Sequence, residues 1–261
     1  MSSYYETGHI KNGANLLRLN QVIATFGATY NPSNNAIKLA ALGTLATNAN
    51  TKLTDVSTNF TNWKNATNAR ELAFEPLRKQ VTQILGALQS LGVSQQTIDD
   101  FTFQVNKFRS SGSKLTKADA GIADTSSSEK VIAPETTDEA KTISTSQQSF
   151  DNLIQHFQKM ILILQSVPTY NPNETAFKVV TLQSQLTNLT NLNNAANTSY
   201  ATLKNARIQR NLFFYAKDTG ALDIVRQVKA YVKSVYGASS QQYIAVNAIK
   251  FTRVIPKKSA Q

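Results

Sequence analysis

Apolar residues recur every third or fourth position through most of the chain, the period of an α-helix and not of a strand. Leu16, Leu19, Ile23 and Phe26 predict a first helix, with Gly27 near its end. Residues 1–13 are polar, contain Gly8 and Gly13, and read as loose. A longer pattern follows: Leu39, Leu42, Ala46, Ala49, Leu53, Val56, Phe60 and Trp63, a heptad-type seam. Asn31 as cap and Pro32 at the first helical position predict the start of this helix. Unbroken to Glu75 it would run roughly 65 Å, and the poor helix formers from Asn48 to Thr54 mark where it could bend. Pro76 then opens a third helix carrying Leu77, Val81, Ile84, Leu85 and Leu88. A fourth is expected over Gln95–Phe108 after a left-handed cap at Gly92.

The same succession returns later. A helix over about Ser149–Val167 carries Phe150, Ile154, Phe157 and Ile161 and stops at Pro168. A second long seam reads Val179, Leu182, Leu186, Leu189, Asn193, Ala196, Tyr200 and Leu203, with Asn171 and Glu174 at capping-box spacing. Then comes a helix with Leu222, Val225, Val228, Val232 and Val235, capped by Gly237, and a last one over Gln241–Phe251, with Ser239 and Gln242 at capping-box spacing. Residues 29–75 align with 169–215 without a gap, at 16 identities in 47 positions. Thr29-Tyr30-Asn31-Pro32 returns as Thr169-Tyr170-Asn171-Pro172, and Lys64-Asn65-Ala66 returns as Lys204-Asn205-Ala206. An internal repeat of this length predicts two copies of one helical unit. The second copy inserts about five residues at Ala216–Gly220. Only Lys250–Ile255 resembles a strand, and ambiguously.

The expected fold is therefore all-α: two pseudo-equivalent helical-bundle repeats, residues 1–111 and 149–261, with long heptad-patterned helices. Residues 112–148, rich in Ser, Thr, Asp and Lys, read as a flexible linker.

Composition adds three constraints. Only 16% of residues are charged, against about 25% in an average chain, and Asn, Thr, Gln and Ser take their place. Such a surface repels its own kind weakly, which favours assembly; a compositional bias toward Asn and Lys would give the same numbers. There is no cysteine, which excludes disulfides, thiolate metal sites and cysteine nucleophiles. No secretory signal and no membrane-length apolar run is visible, so a cytoplasmic location is expected. The net charge of +11 is uneven. Residues 1–111 hold ten basic and six acidic groups, residues 112–149 four and six, and residues 150–261 thirteen and four. A basic second half suggests an anionic partner.

Candidate chemistry is sparse. His9 and His156 are the only histidines, and neither has a second ligand at metal spacing. His156 reads as a core-edge residue and His9 as part of the loose start. Asp99 and Asp100 point about 100° apart on a helix and make no acid–base pair. Asp218 and Asp223 read as turn and helix-start residues. No phosphate-binding or dinucleotide glycine motif and no nucleophile elbow occurs. No catalytic residue, metal or cofactor is expected, and the chain reads as non-enzymatic.

Two basic groupings remain. Lys64, Arg70 and their counterparts Lys204 and Arg210 recur with Phe74 and Phe214. Each arginine falls on the continuation of an apolar seam. They read either as paired anion or partner sites, or as arginines whose stems pack while their heads bond helix-end carbonyls. Arg226, Lys229 and Lys233 lie on one helix face, with Lys217, Lys250, Arg253, Lys257 and Lys258 in the same half. They read either as a stripe that tracks phosphates or as an ordinary solvated face.

The segment Val228-Lys229-Ala230-Tyr231-Val232-Lys233-Ser234-Val235-Tyr236-Gly237, with Ser239-Ser240-Gln241-Gln242-Tyr243 and Ile249-Lys250-Phe251 after it, resembles a family of uncharacterised bacterial proteins. Tyr170-Asn171-Pro172-Asn173-Glu174 and Asn205-Ala206-Arg207-Ile208-Gln209-Arg210-Asn211 are similar to other signatures of that family. The resemblance covers most of both copies and implies the duplicated helical fold; it implies no activity and no site residues. Copy one departs from it at Ala69-Arg70-Glu71 and lacks the inserted turn. The leading functional expectation is a structural or interaction protein that partners itself or another protein through long helical faces. The alternative is a sequence-independent nucleic-acid binder using the basic second repeat.

Overall fold

The computed structural model describes residues 4–109 and 149–254. The expected linker at 112–148, and Lys257 and Lys258, lie outside the described residues. Those described are helical, with no strand among them: α1 Tyr4–Ala24, α2 Leu39–Phe74, α3 Leu77–Gln89, α4 Gln95–Arg109, α5 Phe150–Gln165, α6 Val179–Tyr215, α7 Ala221–Tyr236 and α8 Gln241–Ala248. α2 and α6 are unbroken, so the Asn48–Thr54 stretch does not interrupt the helix; 36 residues of α2 correspond to about 54 Å.

The chain divides into two compact units that do not follow the repeat boundaries 1–111 and 149–261. The first unit takes residues up to Asn62 and those from Tyr200 onward; the second takes Trp63 to Ser199. The reason is length. Helices of 8 to 21 residues accompany seams of 36 and 37, so no one set of short helices covers a whole seam. In the first unit Leu16, Leu19 and Ile23 of α1 share a core with Leu42, Ala46 and Ala49 of α2, Phe214 of α6, and Val225, Val228 and Val232 of α7. In the second unit Phe74 of α2 packs with Val81, Ile84 and Leu88 of α3, Phe101 and Val105 of α4, Phe157 and Leu164 of α5, and Leu182 and Leu189 of α6. Each such buried Leu, Val or Phe contributes about 1.5–3 kcal/mol of transfer free energy. Toward the far ends of the α2 seam, Leu39 and Phe60 are exposed.

The long helices begin later than the Asn-Pro signal predicts. Tyr30 donates its hydroxyl to the Ile37 carbonyl at 2.6 Å, and Tyr170 does the same to Phe177 at 3.0 Å. This latch holds a loop and a short 3-10 turn, Asn35–Ile37 or Thr175–Phe177, ahead of each helix. Asn34 caps the first turn through Ala36, whereas Glu174 makes no cap bond. Ser240, one residue beyond the expected Ser239, caps α8. Gly92 and Gly237 have the positive φ their capping role requires, 67° and 89°.

The start of the chain also differs from expectation. α1 begins at Tyr4, and His9 is buried on it against Phe214 and Tyr215. Gly8 and Gly13 serve close approach here: a Cβ at Gly8 would meet Val254 Cγ2 at 2.7 Å, and one at Gly13 would meet Leu53 Cδ1 at 2.6 Å. Residues 250–254 are coil. Asn12 pairs with both the N–H and the carbonyl of Thr252, at 3.1 and 2.7 Å, and so imitates the neighbouring strand that their alternation suggests.

Candidate functional site

Arg70 and Arg210 sit on α2 and α6, four residues before Phe74 and Phe214. Both are buried, at 7% and 4% exposure. In the second unit the Arg70 guanidinium stacks 3.9 Å above the Phe150 ring and donates to the Asn193 side-chain oxygen at 3.1 Å. Asn193 in turn donates to Asp151 at 2.6 Å. Burial pushes the guanidinium pKa down, opposed by Glu71 and Asp151, yet arginine stays charged at any ordinary pH. In the first unit Arg210 donates from Nε and Nη2 to Asn211 at 3.2 and 3.0 Å. Each head meets a side-chain amide, Asn193 for Arg70 and Asn211 for Arg210. Lys64 lies exposed over Trp63, and Lys204 over Tyr200, with Nζ 5.1 and 5.0 Å from the ring centres. The two lysines are therefore outward and the two arginines inward, and the grouping does not form one anion-facing cluster.

The second grouping is more open. It belongs wholly to the first unit. Asp223, in the first turn of α7, accepts from the Asp218 amide and pairs with Arg226. Asp218 holds a positive φ of 66° in the inserted turn. Lys229 is half-buried; its ammonium donates to the Ile249 carbonyl at the C-terminal end of α8, 2.7 Å away. That carbonyl end attracts a cation. Burial pushes the Lys229 pKa down, and Lys250 adds to the shift. Lys233 is exposed on the next turn. The three residues are therefore not an equivalent stripe, because one is tied inward.

The structure instead gathers cations from three segments around adjoining hollows. One, of about 300 Å³, is lined by Lys217, Arg226 and Arg253, with Asp218 and Asp223. The next, of about 210 Å³, is lined by Arg226, Lys229, Lys250 and Arg253 with Phe251 and has no carboxylate. A third, of about 480 Å³ and mostly apolar, is bounded by Ile208, Leu212, Tyr215 and Arg253. Arg253 lines all three, its guanidinium 5.8 Å from the Tyr215 ring centre, and Lys233 lines none. Tyr215 lies near the basic stripe in sequence, as do Tyr231, Tyr236 and Tyr243, whereas Phe251 gave no such signal: it reaches α7 because Asn12, Asn15 and Tyr215 fasten residues 250–254 through Thr252, Lys250 and Val254. On α3 the buried residues Leu77, Val81, Ile84 and Leu88 have the 4,3,4 spacing of Ala221, Val225, Val228 and Val232 on α7. Thr82, Leu85 and Gln89 thus stand where α7 has Arg226, Lys229 and Lys233, so the cation cluster has no counterpart there.

His156 is a core residue, bonded to Gln104 at 3.0 Å, its pKa lowered by burial and then by Lys159 and Lys107. Among the described residues no group of three His, Cys, Asp or Glu side chains is placed to hold a metal, and no helix is long and apolar enough to cross a membrane. The chain matches no protein-family model, no curated protein and no solved structure.

Proposed function

We propose that this is a non-enzymatic structural protein, built from two copies of one helical unit, that assembles with copies of itself through the outward faces of α2 and α6. The paired tyrosine latches before both helices support the duplication. One observation carries the assembly reading. Thr44, Thr47, Thr51, Thr54, Thr58, Thr61, Asn65, Asn68 and Leu72 follow a strict 3,4 spacing along α2, and every one is exposed. The same positions on α6, Ser184, Thr187, Asn191, Asn194, Thr198, Ala201, Asn205, Ile208 and Leu212, are also all exposed. Neither row contains a charge. The average spacing of 3.5 residues is that of a helix–helix seam.

These threonines are less hydrophilic than their composition suggests. Thr44, Thr47, Thr51, Thr61, Ser184 and Thr187 donate their hydroxyls to carbonyls one turn back, at 3.0–3.2 Å. With those hydroxyls occupied, these residues bring no unpaired donor to a second helix, the asparagines of the rows can pair across the contact, and no like charges face each other. Thr47, Thr58, Asn65 and Leu72 are identical in the α6 row, so like can pack on like, as a symmetric assembly requires.

The test is light scattering coupled to size exclusion over a range of concentrations, on the native chain and on Thr51→Glu/Thr58→Glu/Asn65→Glu. The native chain is expected to form a discrete multimer that the triple variant loses while keeping its helical circular dichroism. A native chain that stays at 28.6 kDa when concentrated, or a triple variant that assembles as before, overturns the reading.

A second reading is that the first unit binds nucleic acid without regard to sequence. The convergence of five cations on adjoining hollows favours it, since phosphate neutralisation supplies most non-specific affinity.

A further inference from the structure

We propose that the groove around Arg253 takes a single strand of nucleic acid, with bases against Tyr215 and Phe251 and phosphates on Arg226, Lys250 and Arg253. This rests on the second reading above and narrows it to a strand type and a place. Non-specific single-strand sites combine a basic track with aromatic faces on which bases stack. Both parts are present here. Phe251 and Tyr215 are half-buried and line separate hollows, and each ring has a cation 5.8–5.9 Å from its centre, Lys229 over Phe251 and Arg253 over Tyr215.

The charge pattern sets the polarity of the groove. The hollow beside Phe251 has four cations and no carboxylate, so phosphate belongs there. The hollow beside Asp218 and Asp223 has three cations against two carboxylates and is nearly neutral. The hollow bounded by Ile208, Leu212 and Tyr215 is apolar and suits a ring. A duplex keeps its bases stacked inside and offers these rings nothing. An acidic peptide would use the cations and leave the apolar hollow empty.

The experiment is fluorescence anisotropy on the native full chain with a labelled thymidine strand. The matching duplex, an abasic strand of equal length and polyglutamate are the comparisons, each across a salt series. The thymidine strand is expected to bind tightest. Phe251→Leu should weaken it roughly 5- to 150-fold with the salt slope unchanged. Arg253→Gln and Lys250→Ala, both at exposed positions, should each flatten that slope by about 0.7 for the phosphate contact removed. Lys233→Ala should change nothing. Equal affinity for the abasic strand or polyglutamate overturns the proposal, as does an unaltered slope in both charge variants. If the duplex binds equally and Lys233→Ala weakens it, the nucleic-acid reading stands and the groove falls. If no nucleic acid binds, both fall.

Discussion

Asn193 interrupts the apolar seam of α6, and the position it matches in α2 is Leu53. Replacing it with leucine looks like a repair. The structure predicts the opposite. Asn193 is buried at 2% exposure, and its side-chain oxygen accepts from Arg70 while its nitrogen donates to Asp151. Asn193→Leu would leave Nη1 of Arg70 beside Nε, which already lies buried without a partner. A hydrogen bond to a charged group contributes about 1.5–3 kcal/mol, and leaving a buried charged donor without its acceptor puts the loss at the upper end of that range. Stacking on Phe150 at 3.9 Å remains and softens the loss. We expect Asn193→Leu to destabilise the second unit by about 3 kcal/mol. Arg70→Met keeps the stem and strands only the neutral Asn193, at a cost of about 1–2 kcal/mol. The double variant removes both polar partners and should lie within about 1 kcal/mol of the native chain, because apolar replacement of both members of a buried pair is nearly neutral.

Urea unfolding followed by tryptophan fluorescence reads this directly. Trp63 is the only tryptophan and belongs to the same compact unit as Arg70 and Asn193. The expected coupling is at least about 2 kcal/mol, well above the roughly 0.5 kcal/mol within which independent sites add. Additive single losses, or an Asn193→Leu chain as stable as the native one, would refute the claim that the amide exists to serve the arginine.

Two glycines give opposite expectations. A Cβ at Gly220 would meet the Ala216 carbonyl oxygen at 2.6 Å and its amide nitrogen at 2.7 Å, backbone atoms that no rotamer change can move, so Gly220→Ala should cost at least about 1–3 kcal/mol. Gly86 lies exposed within α3 with nothing within 4 Å of the added carbon, so Gly86→Ala should stabilise by about 1 kcal/mol; thermal melting of the pair checks both signs. For the tyrosine latches, burial pushes the phenols of Tyr30 and Tyr170 up to about 12 from 10. The unfolded chain releases these protons first, so their contribution is fully present below pH 10 and is lost as pH rises from 10 to about 12, by roughly 2–3 kcal/mol each. Urea midpoints across that range should fall less steeply in Tyr30→Phe, and an equal slope would count against the latch.

Legibility in the sequence followed the kind of physics involved. Helical periodicity is local, so α3 to α7 begin or end within a few residues of their hydrophobic patterns, and Gly92 and Gly237 could be identified as positive-φ glycines just after helices. Close approach is not local: Gly8 and Gly13 read as looseness because Val254 and Leu53 lie far along the chain. The same holds for Asn12, whose amide stands in for a β-strand partner of Thr252. The compact units differ from the repeats for a related reason. Repetition shows which segments are alike, but burial depends on which segments are long enough to cover one another, and helices of 8 to 21 residues cannot cover one of 36. The exposed threonine rows were legible in principle, as a second 3,4 period of Thr and Asn offset from the Leu and Ala seam. A search for apolar period alone passes over them, because threonine reads as polar until its hydroxyl is seen to bond the preceding turn. That is also why the assembly reading depends on the fold: only a helix already formed gives Thr44, Thr47, Thr51 and Thr61 a carbonyl one turn back to occupy their hydroxyls.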